Sequence, residues 1–127
     1  MDGDSLKLHL DRHAGQNAFT GYGAGYVMVN NLRYERSLVV LPDRLVEDWS
    51  VAAPGALTLS HLERLAALAP EVLLLGTGVR LVFPEPALLA PLAAAGIGLE
   101  VMDTSAACRT YNILMAEGRR VAAAIIL

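Results

Sequence analysis

Leu6, Leu8 and Leu10 alternate with Lys7, His9 and Asp11, the period of two expected of a half-buried strand. Gly21, Gly23 and Gly25 then stand at alternate positions, which suits a tight turn or a strand lying close against another backbone. Tyr26 to Val29 reads as a strand. Asn30-Asn31 reads as a hairpin turn, because asparagine tolerates positive φ. Leu32 to Arg36 is the expected return strand. Ser37 to Leu41 is a third, stopped by Pro42. The N-terminal half is therefore predicted to be antiparallel and β-rich.

After Pro54-Gly55 the pattern changes. Ser60, with Glu63 three residues on, predicts a capping box, and Leu62, Leu65, Ala66 and Ala69 recur at helical spacing until Pro70. Val72 to Leu75 is apolar without alternation, as in a strand covered on both faces. Gly76-Thr77-Gly78 predicts a turn, and Val79 to Phe83 a short extended piece. Pro86 to Ala95 predicts a helix ended by Gly96, and Ile97 to Met102 a strand. Asp103 or Thr104 caps a helix running to Glu117, with Gly118 at its end, and Val121 to Leu127 closes as a buried strand. This alternation of helices and strands predicts an α/β layer with helices on both faces.

Length and composition narrow the picture. The 127 residues suit one domain spanning 1–127. An apolar fraction of 54% implies tight packing, or a surface buried by a protein partner or a second copy. The net charge is −3 and no Lys/Arg cluster exists beyond Arg119-Arg120, so nucleic-acid binding is not expected. The acidic MDGDS start carries no secretory signal pattern and argues against a transit peptide, which leaves a cytoplasmic protein as the expectation. The longest apolar stretch, Pro86 to Leu99, is too short to span a membrane and is broken by Pro91, Gly96 and Gly98. Cys108 is the only cysteine, so no internal disulfide or cysteine metal cluster can form.

Two segments could carry chemistry. Gly76-Thr77-Gly78 ends a predicted central strand, the edge of an open α/β sheet where ligands bind. The next strand should end beside it at Asp103-Thr104, and the N–H groups opening the following helix would attract an anion. Against a nucleotide loop, Leu81 stands where a third glycine belongs and no phosphate-loop lysine is present. A turn that needs glycine is the simpler account. On the helix, Ala107, Cys108, Tyr111, Leu114 and Met115 form an apolar face, and Ala106 and Ala107 allow a close approach to the sheet. Arg109 and Asn112, three apart, can act on one partner: Asp103, Glu100 or another molecule.

Glu100 shares a strand face with Gly98 and Met102 and is expected to pair with Arg109, Arg119 or Arg120 if buried. Cys108 lacks a nearby base, since His9, His13 and His61 are remote, so a small buried apolar role outweighs nucleophilic catalysis. His9, Asp11 and His13 would share one strand face, yet beside Gly15 they read as a solvated strand end rather than metal ligands. No catalytic residue, cofactor or metal is assigned from these patterns.

A resemblance adds a family. Thr20 to Gly23, Tyr34, Ser37 to Pro42, Trp49, Leu74 to Gly78 (LLGTG), Glu100 to Met102, Ala106 to Asn112 (AACRTYN) and Glu117 to Val121 (EGRRV) carry it. Together they resemble the domain-of-unknown-function family that includes mitochondrial complex I assembly factor 3 and uncharacterised bacterial homologues. The resemblance implies a compact α/β domain with a central mixed sheet between helices. It also implies a non-enzymatic assembly role for the mitochondrial member, exercised with a partner protein. The chain departs from that member in lacking an amphipathic presequence, which implies the bacterial type. Two readings follow: a protein-interaction or assembly-factor-like module, or a small-ligand protein or enzyme. The second would place its site between Gly76, Thr77 and Gly78 and the stretch from Asp103 and Thr104 to Arg109 and Asn112.

Overall fold

The computed structural model describes residues 15–127. The Leu6 to Leu10 alternation and the His9, Asp11, His13 trio lie outside the described residues. Three short strands come first: β1 (Phe19–Gly23), β2 (Tyr26–Val29) and β3 (Leu32–Tyr34), an antiparallel meander. The β2–β3 turn is the expected pair, with φ of 53° at Asn30 and 68° at Asn31. The Asn30 side chain fixes it by accepting the Ala18 N–H at 3.0 Å and donating to Asn17 at 2.8 Å.

The larger sheet has five strands in the order β5-β4-β8-β6-β7. β4 (Leu38–Leu41) pairs antiparallel with β5 (Arg44–Val46) and with β8 (Val121–Ile125). β6 (Val72–Gly76) pairs parallel with β8 and with β7 (Gly98–Met102). The sheet is therefore mixed. β5 was not expected from the sequence: Pro42-Asp43 turn the chain back, and three residues are too few to display a period of two.

Among the described residues, three α-helices cover the sheet: α1 (Leu59–Ala67), α2 (Ala90–Ala94) and α3 (Thr104–Ala116). On one face, Leu62 and Leu65 of α1 and Leu92 of α2 pack with Trp49, Leu73, Leu75 and Ala124. On the other, Ala107, Cys108, Tyr111 and Met115 of α3 pack with Leu74, Ala123 and Ile125, and with Phe19, Val27 and Val29 of the meander. This is the predicted α/β arrangement, with helices on both faces of a central mixed sheet. β6 and β8 are covered on both sides, which is why their sequences do not alternate.

Two helix starts differ from expectation. The capping box of α1 is Thr58 with His61, not Ser60 with Glu63, because Ser60 already lies inside the helix. His61 Nδ1 accepts the Thr58 N–H at 3.0 Å, so its proton sits on Nε2, which donates to the Ser50 carbonyl at 2.9 Å. The imidazole thus does what a glutamate usually does in this motif. The Pro86 to Ala95 helix divides into a 3-10 turn (Pro86–Leu89) and the short α2, since Pro91 has no N–H to continue the ladder.

Candidate functional site

β6, β7 and β8 run parallel, so their carboxyl ends share one edge of the sheet. The fold requires glycine at Gly76, where a Cβ would stand 2.9 Å from Ile125 Cδ1, 3.2 Å from Ala107 Cβ and 3.3 Å from Thr104 Cα. That absence of a side chain lets the start of α3 sit on the sheet. Gly78 has φ +96°, a conformation that side chains resist. Its N–H donates to Thr104 Oγ1 at 2.9 Å, and its carbonyl accepts the Thr104 N–H at 2.9 Å. Thr77 is buried; its hydroxyl donates to the Arg80 carbonyl at 2.5 Å and accepts the Val82 N–H at 3.1 Å. Gly76, Thr77, Gly78 and Thr104 therefore form a clasp between the two strand ends, as the turn account expected.

Beside the clasp lies a crevice of ≈ 430 Å³. Gly78, Asp103 and Thr104 line it, as the sequence suggested, together with Val79, Ser105, Ile126 and Leu127. Its far wall is Tyr22, Gly23 and Gly25 of the β1–β2 hairpin. Those hairpin residues were not anticipated as site residues. The alternating glycines around Tyr22 mark the hairpin, but nothing local shows that it reaches a helix almost ninety residues away.

Asp103 is the N-cap of α3. Its Oδ1 accepts the Ala106 N–H at 2.9 Å and the Ser105 hydroxyl at 2.8 Å. Those two donors, helped by the charge of Arg109, hold its carboxyl below its ordinary pKa. The anion expected at this helix start thus finds its place taken by a carboxylate of the chain itself. An incoming phosphate would meet like charge, whereas a hydrogen-bond donor or cation would not.

Arg109 and Asn112 both reach β1, at different residues, and neither bonds to Asp103 or Glu100. Arg109 Nη1 donates to Tyr22 Oη at 3.0 Å, leaving the tyrosine proton to donate elsewhere. Asn112 lies a turn further along and faces the β1 backbone: it accepts the Phe19 N–H at 2.9 Å and donates to the Phe19 carbonyl at 2.7 Å. Both ends of its amide are used, so its role is to pin the meander to α3. Tyr111 joins it, edge-on to Phe19 and donating to the Asn17 carbonyl at 2.8 Å.

Glu100 joins no ion pair among the described residues. Glu100 is exposed on the edge strand β7, beyond the cover of α3, and Arg119 pairs instead with Glu71 at 3.1 Å. Cys108 is buried, and burial pushes its thiol up to about 12, which removes it as a nucleophile. Val79 to Phe83, expected to be extended, form no strand. Val79, Leu81, Val82 and Phe83 are exposed on the loop rooted in the clasp, Val79 by 80% and Phe83 by 71%.

Comparison with known proteins gives the chain its relatives. A family model described as "Protein of unknown function (DUF498/DUF598)" matches residues 19–126. A crystal structure of a Bordetella parapertussis protein is similar with a TM-score of 0.83 and 48% identity, covering 89% of this chain and 97% of that one. A Francisella tularensis protein named "13 kDa major membrane protein" is 30% identical over 109 residues, 85% of this chain and 89% of that protein. NADH dehydrogenase (ubiquinone) 1 alpha subcomplex assembly factor 3 of Xenopus tropicalis is 32% identical over 107 residues. The match spans 83% of this chain and 58% of that assembly factor. Among the described residues, no helix is long and apolar enough to cross a membrane.

Proposed function

We propose, from the premise that the chain belongs to this family of unknown function (DUF498/DUF598), that it is a non-enzymatic, assembly-factor-like module that docks another protein. The observation that carries this reading is the loop holding Val79, Leu81, Val82 and Phe83. Four large apolar side chains are exposed within five residues, while Thr77 fixes the backbone beneath them. Exposed apolar clusters of this kind mark interaction surfaces, and a fixed one loses little entropy when a partner binds. The name of the Xenopus relative supports the same direction, as does the high apolar fraction of the sequence. A cytoplasmic location remains part of the proposal.

The test places a photocrosslinking residue at Phe83 and, as a control, at Glu35 on a charged surface, in cells that express the protein. The expected result is one reproducible adduct from position 83, lost when Val79 and Leu81 are changed to Ser. A protein that stays monomeric in light scattering and gives no adduct at position 83 would overturn the reading.

One observation favours a second reading, the open crevice by Asp103. Its carboxylate, the Tyr22–Arg109 pair and the apolar Val79 and Ile126 would suit a small ligand that donates hydrogen bonds, rather than a nucleotide. A thermal-shift panel of amines and polar neutral compounds should find stabilisation that Asp103→Asn reduces. No shift with any compound would sink it.

A further inference from the structure

The EGRRV stretch ends at a second cavity, which the crevice does not use. This cavity, of ≈ 380 Å³, lies at the opposite end of the sheet, where β4 turns into β5 and α3 leads into β8. Arg44, Arg119 and Arg120 line it, and Leu41, Leu68 and Val121 are among its apolar residues. Arg119 is engaged by Glu71 through Nε at 3.2 Å and Nη2 at 3.1 Å. Arg44 and Arg120 are exposed and join none of the ion pairs found among the described residues.

We propose that this cavity binds a small amphipathic carboxylate, with the carboxylate held by Arg44 and Arg120 and the apolar body on Leu41 and Leu68. The guanidinium fork matches the planar carboxylate geometrically. The charge around the cavity favours the least charged anion. Asp43 lines the cavity, Glu71 pairs with Arg119 and Glu117 also acts on Arg119, so three carboxylates offset the three arginines and leave no net positive charge for a dianionic phosphate. The carboxyl end of α3 opposes an anion only weakly here. Its carbonyls at Ile113, Leu114 and Met115 accept the Glu117, Arg119 and Gly118 N–H groups. The volume lies within the range of small-molecule sites.

The experiment is an amide-shift NMR titration of the full chain with octanoate, octanol and octyl phosphate as separate probes. Octanoate is expected to saturate at millimolar concentration and to move the amides of Arg44, Leu68 and Val121. Octanol, which keeps the tail, and octyl phosphate, which changes the head, are each expected to bind about tenfold more weakly. Arg44→Gln and Arg120→Gln should each weaken octanoate by about tenfold, the loss of one charge-assisted hydrogen bond. Both side chains are exposed, and the structural bonds of Arg120 come from its carbonyl, which accepts the Glu71 and Val72 N–H groups. If either Gln variant fails to fold, its Lys variant replaces it and should bind with intermediate strength. The proposal falls if octanoate does not saturate, or if octanol or octyl phosphate binds as well. It also falls if the arginine variants leave binding unchanged, or if the shifts gather around Asp103. The cavity is remote from the Val79 to Phe83 loop, so this outcome and that of the crosslinking test are independent.

Discussion

Replacing Asn112 by Ala removes two hydrogen bonds that join segments 93 residues apart in sequence, those to the Phe19 N–H and to the Phe19 carbonyl. Nothing else in α3 can satisfy those groups, and the methyl of alanine does not reach them. Each such bond contributes about 0.5–1.5 kcal/mol net, so the loss should be about 1–3 kcal/mol. For a domain of this size, roughly 3–5 °C of Tm follows each kcal/mol. Urea unfolding read by the fluorescence of Trp49, which is fully buried, measures the loss directly. Hydrogen exchange at the Phe19 amide should accelerate more than exchange in β6. Asn112→Asp sharpens the test. At neutral pH its carboxylate keeps the acceptor for Phe19 N–H but faces the Phe19 carbonyl, so it should be at least as destabilising as Ala. Once protonated it can donate again, so its stability relative to the parent should recover as pH falls. An Ala variant within about 0.5 kcal/mol of the parent, the range of ordinary surface substitutions, would refute the pinning role. It would return Asn112 to the ligand candidates.

Gly76→Ala should cost about 1–3 kcal/mol through overpacking against Ile125, Ala107 and Thr104, measured by the same unfolding assay. Asp103→Ala should lose about 1 kcal/mol as a missing N-cap, while Asp103→Asn should remain near the parent. Because the Asp103 pKa is lowered from 3.8, its contribution is present above that value and disappears as pH falls through the depressed one. The Ala variant should therefore show a shallower acid decline in stability. Cys108 has the opposite sign. Its thiol moves from 9.0 to about 12, so unfolding releases its proton between those values and stability falls as pH rises there. Cys108→Ala should make the alkaline decline between pH 9 and pH 12 shallower in denaturation curves, leaving the part owed to Tyr111, whose phenol burial also pushes up.

The parts of the fold that were legible are those with local signatures. The unbroken apolar runs at Val72 to Leu75 and Val121 to Ile125 became the doubly covered strands. The Asn30-Asn31 pair became the turn, and the helical face of Ala107, Cys108, Tyr111 and Met115 became the buried one. Failures came where a signal is short or the partner is remote. Three residues of β5 cannot display a period. Thr58 and Ser60 both carry a capping hydroxyl, and only the extended backbone at Thr58 decides between them. The neighbours of Glu100 leave its burial open, because a strand's place at the edge of a sheet is set by crossovers, not by its own residues. For the same reason the partner of Arg109 and Asn112 is not legible: helical spacing puts them close, while the strand β1 that both bind folds back from far upstream. Of the candidate site, the crevice edge at Gly78 and Asp103-Thr104 was legible, and its Tyr22 wall was not.

The strand order β5-β4-β8-β6-β7 has a consequence for biosynthesis. β8 follows the other described elements in sequence and is central in space, pairing Leu38 with Ile125 and Val72 with Val121. While the chain is still emerging from a ribosome, β4 and β6 have no strand between them. Their Val and Leu side chains and open edges must wait, and the larger sheet closes only once residue 125 is clear of the exit tunnel. Every nascent chain therefore passes through a stage with unpaired, apolar strand edges, when it is prone to aggregate and most in need of a holding chaperone.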